Sequence, residues 1–489
     1  MILDPSLALL LPLLIPFIGA ISLGIFSKRP QLREVASFTT AFALLLGVLN
    51  IIPLANDSPT VILAQPLPDI TIALKLEPLG LLFALVASSL WILTTQYAIG
   101  YMRGNKEKHQ TRFFICFAVS IGASMGIALS ANMFSLFVFY ELLTFATYPL
   151  VTHKGDSRAQ KGGGIYLGIL LTSSILFLMS ALIWTYTKTG TTDFTQGGIV
   201  DGHFSTSALA LLFTLYMFGI GKAALMPFHR WLPNAMVAPT PVSALLHAVA
   251  VVKAGVFTVL KVAIYIFGLD LLSKGNITDF VMWVAAFTIL LSSFIALRQD
   301  NLKARLAYST ISQLSYVTLG VCMANSMGLM GAALQIPMHA FGKITLFFCA
   351  GAIYTATHKS HISSMDGLGR KMPITFAAFF IGSLSIIGLP LLGGSWVKWY
   401  LMLGSVDAGK LFLLAVLFGS SLLNIAYLMP VVIRGFFMPL QDSDKEVSEA
   451  PLNCVMPLAI TALFCIALFF VVTPLYELIA PIVGIEVMP

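Results

Sequence analysis

The sequence is poor in charged residues. Of its 489 residues, 10% are Asp, Glu, Lys or Arg, whereas 58% are hydrophobic. A soluble domain carries about 25% charged residues, so this composition excludes a soluble globular protein. Apolar runs long enough for an α-helix to cross a hydrocarbon core about 30 Å thick recur along the whole chain. The composition therefore predicts an all-α integral membrane protein.

The sequence also lacks the patterns of cofactor, metal and catalytic sites. Its five cysteines are scattered through apolar segments without a CxxC pair, which argues against disulfides, zinc sites and iron–sulfur clusters. It contains no GxxxxGK(S/T) phosphate loop, no GxGxxG after a strand and no Ser/His/Asp arrangement. We expect no cofactor, no metal and no catalytic residue, so the energy source has to be an ion gradient or a partner.

Basic residues alternate between the two sides of the predicted helices. Fourteen candidate spans leave nineteen of the 28 Lys and Arg residues in odd-numbered loops, four in even-numbered loops and five inside spans. Cytoplasmic loops carry the excess of basic residues, so this split supports about 14 transmembrane helices and places both termini on the outer side. Topology alone explains the net charge of +7, and no nucleic-acid partner is required.

Proline and glycine interrupt the seventh and twelfth spans. Lys222 precedes four prolines in the seventh, and the run GLPLLGGSWVKWY leads to Lys398 in the twelfth. Proline removes a backbone donor, so we expect both helices to break and the first break, at the prolines, to let water reach Lys222. Paired breaks in two halves point to an inverted repeat. The predicted units are helices 1–3 (1–112), helices 4–8 (113–267), the inverted helices 9–13 (268–433), and a C-terminal loop with helix 14 (434–489).

Several ionisable residues remain inside the predicted spans. An ionisable group at a helix centre costs about 2.5–3.5 kcal/mol, so such residues face the protein interior or water and mark a pathway. Glu141 is the one acid that lies well within a span, and it cannot neutralise several lysines. Burial disfavours the charged form of an unpaired lysine, so a lysine that gains its charge as a carboxylate approaches is a proton-binding switch. The basic residues inside spans are Lys222, Lys253, Lys261, Lys343 and Lys398.

Structural roles are the alternatives for these residues. Lys261 lies near a helix end, where a long side chain can reach the headgroups, and we leave it out of the site on that ground. The same alternative stays open for Lys343, although it follows His339 by one helical turn. Static ion pairs remain an alternative for the lysines of the seventh and eighth spans. His247 lies in an apolar helix, where a hydrogen bond to a carbonyl is the alternative to proton transfer.

Five motifs carry a family resemblance. KAALMPFHRWLPNAMVAPTPVSALLHAVAVVKAG, from Lys222 to Gly255, is similar to the hallmark segment of the antiporter-like subunits of respiratory complex I, Mrp-type cation/proton antiporters and membrane-bound hydrogenases. The supporting motifs are YELLTFATYPLV around Glu141, DNLKARLAYSTISQLSY at 300–316, MHAFGKITLFFCAGA at 338–352 and GLPLLGGSWVKWYL at 388–401. The resemblance implies fourteen helices, two inverted five-helix units and a central polar axis that conducts protons.

The resemblance also implies a role for each buried ionisable residue. It makes Glu141 the carboxylate that pairs with Lys222, Lys253 the connecting lysine, His339 the histidine of the second half and Lys398 the terminal lysine. His247 and Lys343 fall in matching segments with less fixed roles and are possible proton-transfer residues. Gln313 stands where relatives often show histidine, so we assign it no relay role.

The implied function is that of a proton-translocating subunit. The chain length and the run YPLVTHKG resemble the D-type subunit of an Mrp antiporter. We therefore expect a multisubunit Na⁺/H⁺ antiporter in the prokaryotic inner membrane, with other membrane subunits and the lipid bilayer as partners. The alternatives are a proton-pumping subunit of an NADH:quinone oxidoreductase or hydrogenase, and a non-pumping scaffold or bicarbonate-uptake component.

Overall fold

The computed structural model describes residues 4–55, 57–245 and 250–485. Within these ranges, ten helices are long and apolar enough to cross a membrane. The predicted all-α membrane fold is confirmed. The ten helices are Pro5–Ile25, Pro30–Leu54, Pro78–Gly104, Gln110–Ala128, Met133–Val151, Ser157–Thr189, Asp279–Arg298, Ser326–Thr357, Phe412–Phe437 and Leu452–Phe470.

Four of the fourteen predicted spans are not among these ten helices. Leu302–Cys322 is one continuous helix, but it is rich in Ser, Thr and Tyr. The seventh, eighth and twelfth predicted spans are interrupted, so fourteen crossings and the inverted repeat remain predictions. Their α-helical parts are Thr206–Gly219 and Trp231–Asn234 in the seventh, Thr240–Ala244 and Val251–Lys261 in the eighth, and Pro373–Ile387 and Gly394–Asp407 in the twelfth.

Smaller elements complete the described chain. Two helices contain π-helical segments, Ser174–Met179 and Val262–Phe267. Two further short α-helices are Leu269–Leu272 and Thr473–Ile479. The 3-10 turns are Ile52–Leu54, Gly221–Ala223, Ala235–Val237, Ile362–Ser364, Leu368–Arg370, Asp442–Asp444 and Ala480–Val483.

A β-hairpin that the sequence analysis did not predict precedes the helix Pro78–Gly104. Strands β1 (Thr60–Leu67) and β2 (Ile70–Lys75) pair antiparallel. The backbone N–H of Lys75 donates to the carbonyl oxygen of Leu129 at 2.7 Å, which fixes the end of β2 to the helix bundle. The hairpin thereby sets the position at which the next helix begins.

The first helix break lies earlier than predicted. Thr206–Gly219 ends before the prolines, and Lys222 itself lies in the 3-10 turn that follows. A Cβ atom on Gly221 would lie 2.1 Å from the Ser173 Oγ, so this glycine permits close packing of the turn. The Lys222 N–H donates to the Tyr140 hydroxyl at 3.0 Å, and the Trp231 indole N–H donates to the Gly221 carbonyl at 2.9 Å. Protein groups therefore provide hydrogen-bond partners for the backbone at the break. Such partners are required inside a membrane, where the hydrocarbon region supplies no water.

The second break is confirmed at the predicted glycines and proline. Pro373–Ile387 ends at Gly388, whose φ of +84° lies in the left-handed region that favours glycine. A Cβ atom at this position would lie 2.6 Å from the Cδ of Lys398. Gly388 therefore ends one helix and leaves room for the lysine of the next.

The substitution Gly388→Ala tests both roles of Gly388, namely its left-handed backbone conformation and the room that it leaves for Lys398. We expect it to destabilise the protein by about 1–3 kcal/mol, because alanine is strained at this φ and its methyl group displaces Lys398. Thermal unfolding in detergent, followed by tryptophan fluorescence, measures the loss. The control is Gly168→Ala, a helical position where a Cβ meets nothing within 4 Å. An unchanged unfolding temperature for Gly388→Ala would show that the break is not constrained.

His153 is a buried titratable group outside the spans. It follows the helix Met133–Val151 and is 4% exposed. Burial, and then the nearby Arg112 guanidinium, lowers its pKa from 6.5 to about 4. The folded protein therefore holds this imidazole neutral at pH values where the unfolded chain protonates it.

This difference predicts an acid-sensitive component of stability. Because the folded pKa of His153 lies below the unfolded pKa, the contribution is full above pH 6.5 and is lost as the pH falls towards about 4. We expect His153→Gln to lower the unfolding temperature at pH 7.5 while reducing its decline between pH 6.5 and 4.5. If the unfolding temperature of the variant declined with pH as steeply as that of the parent protein, His153 would not be the source of the acid sensitivity.

Candidate functional site

Lys222 lies in the first helix break and is bound by the helix Met133–Val151. Its Nζ donates to the carbonyl oxygen of Tyr140 at 2.8 Å and to the hydroxyl of Thr144 at 2.6 Å. The same atom lies 3.1 Å from the centre of the Tyr140 ring. Lys222 is 0% exposed, so the break encloses the lysine rather than opening it to water as we expected.

Glu141 lies on the same helical turn as Tyr140 but makes no ion pair with a described residue. Neither of its carboxylate oxygens has a hydrogen-bond partner among the described residues. The Lys222 ammonium binds instead to Tyr140 and Thr144, the residues one before and three after Glu141. The carboxylate is therefore adjacent to the lysine's binding site and unsatisfied within the part of the chain that the structure describes.

A glycine brings the next lysine-bearing helix against the break. A Cβ atom on Gly255 would lie 2.4 Å from the backbone carbon of Lys222 and 2.4 Å from the backbone nitrogen of Ala223. The helix Val251–Lys261 therefore packs with its backbone directly on the turn that contains Lys222. Lys253, two residues before Gly255, lies on this helix and is 0% exposed.

Lys253 contacts the predicted histidine of the second unit. Its Nζ lies 2.9 Å from the His339 Nδ1 and donates to the Gln335 carbonyl at 3.4 Å. Both Gln335 and His339 lie on the long helix Ser326–Thr357. The contact joins residues 86 positions apart, one from each predicted unit. Two residues singled out in the sequence are thus in direct contact across the junction between the units.

A small polar cavity extends from His339 to Lys398. The volume available to the centre of a water molecule in this cavity is about 10 Å³, which is close to the volume that one water needs. The Gln335 side chain, which donates to the Gln313 Oε1 at 2.9 Å, forms part of its wall. The lining residues are Gln313, Tyr316, Gln335, Met338, His339, Ser385, Ile386, Gly394, Val397 and Lys398.

Lys398 is bound at the second helix break. Its Nζ donates to the carbonyl oxygen of Ile387 at 2.5 Å and to the hydroxyl of Ser421 at 2.5 Å. Ile387 is the last residue of its helix, so its carbonyl has no partner in a further helical turn. The negative end of the helix dipole therefore faces this lysine.

Lys343 does not reach the headgroups. It is 0% exposed, and its Nζ donates to the hydroxyl of Ser309 at 2.5 Å. The Tyr427 hydroxyl donates to the same Ser309 oxygen at 2.8 Å, so a polar cluster surrounds the lysine. The headgroup alternative is wrong for Lys343, and its place in proton transfer stays a prediction.

The structure contradicts the prediction that Lys261 reaches the headgroups. Rather than reaching the headgroups, it is 0% exposed and forms an ion pair with Glu77. Glu77 is a buried acid that the sequence analysis missed, because it precedes the helix Pro78–Gly104 instead of lying within it. The signal that could have found it was an acid immediately before a predicted span.

The remaining predicted residue, His247, lies outside the described residues. The partners of Lys222 and Lys398 were also missed, namely Tyr140, Thr144 and Ser421. Thr144 lies one turn after Tyr140, and their shared face on the helix of Glu141 was the available signal. Ser421 carried no comparable signal, because single serines are common in membrane helices.

The arrangement can hold and release protons. Among the described residues, Lys222, Lys253, Lys343 and Lys398 donate to neutral oxygen or nitrogen acceptors rather than to carboxylates. Neutral acceptors stabilise an ammonium less than a carboxylate does, so each amine can lose its proton without breaking a strong ion pair. The His339 imidazole can both accept and donate a proton.

Comparison with known proteins identifies the family. Residues 130–424 match the model of the family described as NADH:quinone oxidoreductase/Mrp antiporter, TM. The chain belongs to this family. The match contains Glu141, Lys222, Lys253, His339 and Lys398.

The curated relatives come from two kinds of complex in this family. The chain is 31% identical over 421 residues to NADH-quinone oxidoreductase subunit N of Desulforudis audaxviator, covering 82% of each protein. It is 30% identical over 414 residues to the putative antiporter subunit mnhA2 of Staphylococcus aureus, covering 79% of this chain but 50% of the relative. The family therefore includes subunits of both redox and antiporter complexes.

Two solved structures share the fold. A chain of the membrane-bound sulfane sulfur reductase, an archaeal respiratory membrane complex, superposes with a TM-score of 0.84 at 22% identity. A chain of the Mrp complex from Dietzia sp. superposes with a TM-score of 0.82 at 20% identity. Both matches cover 97% of this chain and 96% of the other. The fold of the Mrp and complex I-like membrane subunits thus extends over nearly the whole chain.

The Lys253–His339 contact predicts thermodynamic coupling. Removing one partner of a buried polar pair leaves the other unsatisfied, whereas removing both does not. We expect Lys253→Met and His339→Leu each to be destabilising, and the double variant to be less so than their sum by about 0.5–3 kcal/mol. Denaturant unfolding in detergent micelles measures the cycle. Additive effects would show that the two side chains act independently.

Proposed function

We propose that this chain is the proton-translocating subunit of a multisubunit monovalent cation (Na⁺)/H⁺ antiporter. The single observation that carries the proposal is the Lys253–His339 hydrogen bond of 2.9 Å, which joins a buried lysine of the first predicted unit to a buried histidine of the second. Membership of the NADH:quinone oxidoreductase/Mrp antiporter family supports it. The complex lies in the prokaryotic inner membrane, other membrane subunits supply the cation site, and both termini of this chain lie on the outer side.

Proton movement begins at Glu141 and Lys222. As the carboxylate approaches, it stabilises the ammonium form of the lysine, and as it withdraws, Lys222 is left with the neutral acceptors Tyr140 and Thr144. The released proton passes through water to the amine of Lys253. This step is supported by the Glu141 carboxylate, which has no hydrogen-bond partner among the described residues and is therefore not fixed by one of them.

The second half of the path runs from Lys253 to Lys398. The Lys253 ammonium gives its proton to the His339 Nδ1, which leaves a neutral amine and an imidazolium. The imidazolium then gives up a proton to a water in the small cavity, and that water passes a proton to the Lys398 amine. Each donor returns to its starting state when the next proton arrives. His247 and Lys343 are possible further members of this path.

A redox-driven complex is the second candidate. The observation that favours it is the 82% coverage of both this chain and the subunit N relative. In that case the same proton path is driven by electron transfer in partner subunits instead of by a cation gradient. A scaffold or bicarbonate-uptake component, the third alternative, would use the buried charges statically.

The variants Glu141→Gln and Lys222→Ala test the proton path. The assembled complex is reconstituted in vesicles, and the pH difference across the membrane is followed with a fluorescent dye. We expect each variant to lose at least about ten-fold in proton transport, because each removes a proton-binding group. Lys274→Ala is the matched control, since this lysine is 68% exposed in a surface ion pair. Unchanged transport in both buried-site variants would refute the proposal and favour the scaffold.

The driving reaction separates the two candidates. An antiporter acidifies or alkalinises vesicles in response to an imposed Na⁺ gradient, whereas a redox complex responds to NADH or another electron donor. Genes for Mrp-type subunits beside this one would favour the antiporter. Proton transport that depends on an electron donor and ignores sodium would replace it with the redox-driven candidate.

A further inference from the structure

A second carboxylate–lysine cluster lies beneath the β-hairpin. One Glu77 oxygen forms an ion pair with the Lys261 Nζ, and the other lies 3.4 Å from the Lys75 Nζ. The exposed fractions of the side chains are 5% for Glu77, 1% for Lys261 and 32% for Lys75. Glu77 therefore contacts a lysine inside the protein and another that reaches the surface.

Stability does not by itself account for the Glu77–Lys261 ion pair. A buried ion pair contributes little net stability, because removing both charges from water costs about as much as their attraction returns. Lys261 has no second carboxylate among the described residues, and its Nζ lies 4.1 Å from the Phe194 ring centre and 4.6 Å from that of Tyr265. The aromatic faces hold the ammonium while its one carboxylate is shared with Lys75.

Lys261 of the cluster lies on the same helix as Lys253. Lys253 and Lys261 are eight residues apart on Val251–Lys261, about 12 Å along the helix axis. The helix changes to a π-helical segment at Val262, directly after Lys261. Such segments occur frequently at functional sites. Both lysines are 0% exposed, so the helix carries two buried amines between the junction with His339 and the hairpin.

We propose that Glu77 and Lys261 form a proton-transfer site that connects Lys253 with the membrane surface at the hairpin. This inference rests on the proposed function and adds a branch to its path. The Lys261 ammonium gives a proton to the Glu77 carboxylate, which yields a neutral amine and a carboxylic acid. The acid releases the proton to water beside Lys75, and the amine regains a proton from Lys253 through water. Lys75 then attracts the regenerated carboxylate.

The double variant Glu77→Gln/Lys261→Met tests the proposal. Replacing both members of a buried ion pair by neutral side chains of similar size is tolerated, so the complex should assemble with a near-normal unfolding temperature. We expect proton transport per assembled complex to fall at least about ten-fold, because both proton-binding groups are gone. The single variant Glu77→Asp, which keeps the carboxylate, should retain more transport than Glu77→Gln.

The matched control is Glu34→Gln. Glu34 is also a buried acid, with an exposed side-chain fraction of 8%, and it forms an ion pair with Arg103. The complex with Glu34→Gln should transport protons normally, because a structural ion pair with Arg103 explains the contacts of Glu34. Normal transport by the double variant, or equal loss in Glu77→Asp and Glu77→Gln, would overturn the proposal.

Lys222→Ala separates failure of this inference from failure of the proposed function. If Lys222→Ala abolishes transport while the double variant transports normally, the main path stands and the branch at Glu77 falls. If Lys222→Ala and Glu141→Gln both transport normally, the proposed function itself falls. If both variants lose transport while retaining their stability, the proposed function and the branch at Glu77 are both supported.

Discussion

The solvation of buried ammonium groups by protein oxygen is the constraint on which this structure depends. A lysine inside a membrane protein has lost its water, so the fold must supply acceptors in its place. At Lys398 the acceptor is the terminal carbonyl of an interrupted helix, and at Lys222 it is a backbone carbonyl of the neighbouring helix Met133–Val151. The interruptions in the helices are therefore part of the site, because they place the lysines and, at Lys398, expose the carbonyl that solvates it.

The two predicted five-helix units, called here the first and second half, meet this constraint with different partners. In the first half, an aromatic ring and a threonine hydroxyl accompany the carbonyl at Lys222. In the second, serine hydroxyls bind both Lys343 and Lys398. Hydroxyl groups can donate and accept, so the environment accommodates either protonation state of the amine. The Lys253–His339 contact lies between the two environments and joins them.

Much of the site could be predicted because buried charge is conspicuous in an apolar sequence. Glu141, Lys222, Lys253, His339 and Lys398 stand out without any structure. The two helix breaks were also predictable, because proline and glycine within an apolar span usually mark an interruption of the helix. The position of the first break was not predicted, because the helix already ends at Gly219, before the prolines on which the prediction was based.

What the sequence concealed depends on contacts distant in the chain. Glu77 and Lys261 are 184 residues apart, and neither gives a local signal for the other. The β-hairpin was missed because its strands are short apolar runs, which periodicity alone does not distinguish from helix. The direction in which the Lys222 ammonium points was hidden as well, since a neutral carbonyl competes with the nearby carboxylate for it.

The cavity between His339 and Lys398 also bears on which ions the proposed route could carry. With room for about one water, it cannot hold a hydrated metal cation, and its lining supplies no carboxylate to replace the lost water. The ammonium of Lys398 repels any cation that enters. A proton avoids both barriers because it moves by exchange between neighbouring groups and never travels as a solvated ion. For the proposed route, the narrowness of this gap implies selectivity for protons by exclusion of larger ions.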